Sequence, residues 1–162
     1  MIKWLIIDGY NLIYRCGAEL GIAPGSLASR RRQFIQLLER ALGLLAERIT
    51  VVFDGRAGDR PAEPESLVVE VLFSPGNKTA DTVIEQLVFK AGKSGGAVVV
   101  TSDRPERETA EAAGAATMAC SIFCAQLKET LARIEQDLSR AARDKPSRSA
   151  PPGFVNPFDS LT

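Results

Sequence analysis

Apolar residues fall into two patterns along this chain. Mostly apolar runs of strand length occur at Ile2 to Ile7, Ile49 to Phe53, Leu67 to Phe73, Ala97 to Val100 and Ala115 to Met118, and they predict five strands. Between the runs, apolar positions recur at helical spacing. Phe34, Leu37, Leu38, Leu42 and Leu45 lie opposite Arg30, Arg31, Arg32, Glu39 and Arg40, which predicts an amphipathic helix over Leu27 to Leu45. Further helices are predicted from Thr79 or Ala80 to Ala91, from Arg104 to Ala113 with Pro105 tolerated near its start, and from Ile122 to Ala142. Strands alternating with helices are the signature of an α/β domain built on a mainly parallel sheet of about five strands.

Polar and breaker residues mark the connections. Asp54 to Ser66, rich in Gly, Pro and charge, reads as a long loop. Ala91 to Gly96 contains a Gly-Lys-Ser triplet but leaves a helix to enter a strand, the reverse of a phosphate cradle, and reads as a turn. From Asp144 the chain is Pro- and Ser-rich, which predicts a domain over residues 1–143 and an extended tail over 144–162, with Phe154, Val155, Phe158 and Leu161 as anchors.

Length and composition narrow the chemistry. At 162 residues, 45% hydrophobic, the chain supports one core rather than two. Lys plus Arg equals Asp plus Glu at 20 each, so any attraction to nucleic acid has to come from a local patch. Cys16, Cys120 and Cys124 show no CxxC spacing and read as buried, reduced thiols. With no signal-peptide pattern and no run of about 18 apolar residues, the expectation is a cytoplasmic protein without a membrane partner. Histidine is absent, which excludes a Ser/His/Asp triad, an imidazole general base and a His-ligated zinc site.

Carboxylates are the chemistry that remains. Asp8 and Asp54 each follow an apolar run directly and Asp103 closes the TSD that ends another, and strand C-termini of an open parallel sheet face one crevice. Asp81 opens the second helix, with Glu85 one turn on. A single Asp after a strand also serves as a turn former or helix N-cap, and Asp81 equally complements a helix dipole. If the strands are neighbours, the acids converge and repel unless a cation neutralises them. An all-oxygen set suits Mg²⁺ or Mn²⁺, ions that activate water and stabilise a phosphoryl oxygen.

Four stretches then carry a family resemblance. IIDGYNLI, VVFDG, FSPGNKTADTVIEQLV and VVVTSDR followed by GA resemble, in that order, the motifs of the YacP-type NYN domain family of the PIN-like nuclease superfamily, over Ile2 to about Phe123. The resemblance implies a PIN-like three-layer α/β/α sandwich and metal-dependent RNA cleavage, in some relatives of messenger RNA on the ribosome. It makes Asp8, Asp81 and Asp103 the acidic metal-binding and catalytic positions, Asp54 a further acidic position and Asn11 the polar partner of Asp8. Lys78 stands where several relatives have an acid, which weakens a metal site or offers a contact to phosphate.

Arg56, Arg60 and Arg104 are candidate phosphate contacts around the crevice, and Tyr10 is either a base-stacking ring, worth about 1–3 kcal/mol, or core packing. The Arg30 to Arg32 triplet reads as a solvated helix face. The resulting expectation is a metal-dependent endoribonuclease acting on single-stranded or messenger RNA. The alternative is a non-catalytic RNA- or ribosome-binding module. A small-ester phosphohydrolase ranks last, because the position two after Asp8 is Tyr10 rather than a second Asp.

Overall fold

The run that ends on Asp8 becomes the middle of the sheet. In the computed structural model, which describes residues 1–56, 60–92, 95–146, 153 and 155, the elements follow as β1 (Ile2–Asp8), α1 (Gly9–Cys16), α2 (Leu27–Ala41), β2 (Ala46–Phe53), β3 (Glu70–Phe73), α3 (Ala80–Ala91), β4 (Ala97–Val100), α4 (Arg104–Ala112), β5 (Ala116–Met118) and α5 (Cys120–Arg143). The five strands form one sheet in the order β3-β2-β1-β4-β5, and every pairing is parallel.

Alternation along the strands divides the core in two. Leu5, Ile7, Ile49, Val51, Phe53 and Val100 face one way, where Leu12 and Ile13 of α1, Phe34, Ile35 and Leu38 of α2, and Phe123 and Leu127 of α5 cover them. Ile6, Val52 and Val99 face the other way, under Ile84 and Val88 of α3 and Ala110 of α4. Helices on both faces of a parallel sheet give the three-layer sandwich, and they explain why the strands read as continuous apolar runs.

Several boundaries depart from the sequence reading, each for a local reason. α2 stops at Ala41 because Gly43 takes a φ of 84° and donates its N–H to the Ala46 carbonyl at 2.9 Å, turning the chain into β2 at once. β2 therefore starts at Ala46, opposite Ile2. β3 begins only at Glu70, since the Ser66 hydroxyl accepts from the N–H groups of Val68 and Val69, and Leu67 and Val68 lie exposed in a turn. Helix α1 was not anticipated: it starts on the residue after β1, with Asp8 as its N-cap.

All three cysteines are free and buried. Residues 93–94 of the Gly-Lys-Ser turn, and Phe154, Phe158 and Leu161 of the tail, lie outside the described residues. The chain divides into two units, Met1–Ala132 and Arg133–Thr162. The first holds the sheet and both cores; the second continues α5 to Arg143. No helix among the described residues is long and apolar enough to cross a membrane.

Candidate metal centre

Strands β2, β1 and β4 are neighbours, so their C-terminal ends lie side by side, and the sheet changes winding direction between β1 and β4. The period of two fixes which way their last side chains point. Asp8 shares the face of Ile6, Asp54 that of Val52, and Thr101 that of Val99, and this is the face covered by α3 and α4. The first turns of those helices carry Asp81 and Glu106. As a result Asp8, Asp81 and Glu106 each bring a carboxylate oxygen to within 4.8 Å of the others.

Glu106 is the member the sequence did not single out. It is only 6% exposed, and its Oε2 accepts a 2.5 Å hydrogen bond from the Thr101 hydroxyl. Its Oε1 is buried with no hydrogen-bond partner among the described residues. Such an orphaned oxygen is costly in a folded protein unless a ligand meets it. The spacing Asp103-x-x-Glu106 carries a signal, but it is the signature of a capping box, in which the Glu would reach back to the helix start. Asp103 does cap α4, accepting from the Glu106 N–H at 3.1 Å, whereas the Glu106 carboxyl turns into the cleft.

Electrostatics follow from this crowding. Burial pushes the Glu106 carboxyl up to about 8, with Asp8, Asp81 and Asp103 adding to the rise against the Thr101 hydrogen bond. Burial likewise raises Asp8 to about 6, opposed by the Asn11 N–H and assisted by Asp81, Asp103 and Asp54. Asp81, the most open of the three, is raised by partial burial of its carboxyl and by Asp103 and Asp54. Three carboxyls raised chiefly by burial and further by neighbouring charge, one with an empty lone-pair direction, form a set that fits a hard divalent cation.

The remaining anticipated residues take varied positions. Asn11 donates its backbone N–H to Asp8 Oδ1 at 3.3 Å, and its side-chain oxygen accepts from the Cys120 thiol. Asp54 stands at the rim, where Arg56 donates to it from the backbone at 2.9 Å and from the guanidinium at 3.2 and 3.3 Å, holding its carboxyl below the usual range. Arg60 donates to the carbonyls of Phe73 and Ser74. Arg104 is exposed and paired with Glu108 along α4. Lys78 closes a turn with Pro75, just before Thr79 caps α3.

Tyr10 is core rather than surface: its ring packs 4.8 Å from that of Phe53 and its hydroxyl accepts from Arg31. The arginine triplet is not one solvated face either. Arg31 is buried and bonded to Glu65 through two nitrogens at 2.6 and 2.9 Å, Arg30 is half-buried, and only Arg32 is exposed.

Comparison with known proteins identifies relatives of the whole domain. The YacP-like NYN domain family model matches residues 5–151. The chain is similar to the "Uncharacterized protein YacP" of Bacillus subtilis, 26% identical over 145 residues that cover 88% of this chain and 85% of the relative. Among solved structures, it resembles Rae1 (YacP) from Bacillus subtilis, with a TM-score of 0.73 at 25% identity, covering 89% of this chain and 84% of that one. Its W164L mutant matches with a TM-score of 0.72 at 26% identity, covering 88% and 86%.

Proposed function

From the premise that the chain belongs to the YacP-like NYN domain family, we propose that it is a cytoplasmic metal-dependent endoribonuclease, hydrolysing phosphodiester bonds of single-stranded RNA, with messenger RNA on the ribosome as the substrate the resemblance points to. The observation that carries the proposal is the convergence of Asp8, Asp81 and Glu106 at the C-terminal edge of the sheet, with one buried oxygen left unpartnered.

In this reading Asp8, Asp81 and Glu106 hold Mg²⁺ or Mn²⁺, and Asp103, whose charge bears on all three, is the fourth carboxylate of the site. The ion supplies activation of water and neutralisation of charge on the phosphoryl oxygens. Asn11 orients Asp8 through its N–H, and Thr101 fixes the Glu106 carboxyl. Arg56, released from Asp54, offers its guanidinium to a backbone phosphate.

The test is cleavage of end-labelled single-stranded RNA by the purified protein in Mn²⁺, Mg²⁺ or EDTA, beside Asp81→Asn and Glu106→Gln. EDTA is expected to abolish cleavage, and each substitution to slow it by about a hundredfold or more. Cleavage that survives EDTA, or Asp81→Asn cutting as fast as the parent, would show that the cluster is not the catalytic centre.

A further inference from the structure

Among the described aromatic residues only Tyr14 and Phe89 are exposed, and Tyr14 stands at the carboxylate cleft. α1 leaves Asp8 directly, so Asn11 and Tyr14, three residues apart, lie on one face of the helix. Both line an open cleft of ≈ 400 Å³ together with Asp8, Asp54, Arg56 and Asp81. Tyr14 is 61% exposed, while Tyr10, one turn earlier, borders the same cleft but is only 6% exposed.

The ring has a charged backing. The guanidinium carbon of Arg30 lies 5.5 Å from the Tyr14 ring centroid, and Arg30 Nη2 donates to the Ile13 carbonyl at 3.4 Å. Arg30 itself is half-buried, and its Nε is buried without a hydrogen-bond partner among the described residues. A flat aromatic surface backed by a cation, beside a rim arginine, matches a nucleobase followed by its phosphate.

We propose that Tyr14, backed by Arg30, is a stacking platform for an unpaired base of an RNA strand entering the carboxylate cleft. The placement rests on the nuclease reading, since the platform would set one nucleotide so that its phosphodiester meets the acidic cluster. It makes the substrate single-stranded, because the faces of paired bases in an RNA helix are covered by their neighbours.

The test is binding in EDTA, where no cleavage occurs. A fluorescein-labelled eight-nucleotide oligoadenylate is titrated with the parent, Tyr14→Ala and Tyr14→Phe, and the same strand carrying 2-aminopurine reports stacking by quenching. Tyr14→Ala is expected to weaken binding about tenfold and to lose the quenching, while Tyr14→Phe stays within about twofold of the parent. A hairpin duplex of the same length is expected to bind the parent more weakly than the single strand. Tyr14→Ala binding and quenching like the parent, a parent that binds neither RNA, or a parent that prefers the duplex would each overturn the platform. A parent that binds and quenches but never cuts in Mn²⁺ would support the platform and remove the nuclease reading alone.

Discussion

Asp8 performs two tasks with one side chain: it caps α1 through the Asn11 N–H and supplies an oxygen to the cluster. The N-cap reading of an aspartate after a strand is thus met, the ligand reading belongs to the proposed function, and substitutions separate the two. Asn caps a helix as well as Asp does but cannot carry the charge, whereas Ala does neither. Asp8→Asn is expected to match or exceed the parent in stability without metal, and Asp8→Ala to fall below Asp8→Asn by about 1 kcal/mol. Urea denaturation of the two variants in EDTA checks this; equal midpoints would mean that the cap contributes nothing. Legibility at this scale followed position. Asp8 and Asp81 stood out because one ends a strand and the other begins a helix. Glu106 did not, because a Glu three residues into a helix is ordinary and only its burial against Thr101 makes it otherwise. Arg31 was hidden for the same reason: an arginine among arginines gives no sign that one of them points inward.

At the level of elements, the apolar runs and the helical stripes were readable because each has a period. α1 was not, since it is eight residues long and follows β1 with no turn between them. The Asp-Gly pairs at the ends of β1 and β2 were visible as motifs, but their reason is spatial. A Cβ on Gly9 would lie 2.3 Å from the Phe53 ring, and one on Gly55 2.2 Å from the Ser74 carbonyl oxygen. The connection between β2 and β3 is fastened by a clamp that no local pattern announces. Arg31 and Glu65 pair with side chains 2% and 7% exposed, and the Arg31 guanidinium lies 5.1 Å from the Phe73 ring centroid. Removing one partner leaves the other charge buried, so Glu65→Ala is expected to cost about 3–5 kcal/mol in denaturant unfolding, and Arg31→Met/Glu65→Leu to recover most of it. A Glu65→Ala protein as stable as the parent would show that the clamp is incidental.

For the whole molecule, the gathered acids tie stability to pH and to metal. Asp8 and Glu106 titrate at about 6 and about 8 in the folded protein, above their ordinary values of 3.8 and 4.5. Between those limits the folded state holds more protons than the unfolded chain, so stability is greatest at the acid end of this window and declines as pH rises through it. In EDTA the melting temperature is expected to drop from about pH 5 to about pH 8.5, and Glu106→Gln to flatten the upper part of that slope. Mn²⁺ at about a hundredfold over its Kd should restore about 5–10 °C at the alkaline end. A melting temperature that is flat with pH and indifferent to Mn²⁺ would mean that burial and neighbouring charge do not raise these carboxyls. The strand order behind this was beyond the hydrophobic pattern, because five apolar runs of similar length can pair in many ways; only the family resemblance implied an arrangement.

The alternation that points Asp8, Asp54 and Thr101 towards α3 and α4 also decides which residues fill the two cores. A single residue inserted within β1 would turn Asp8 away from Asp81 and, in the same step, exchange Leu5 and Ile7 with Ile6 between the layers. Asp8 therefore cannot leave the cluster by a one-residue change within β1 that leaves the two layers intact. Length changes that keep both the cluster and the two layers belong in the connections.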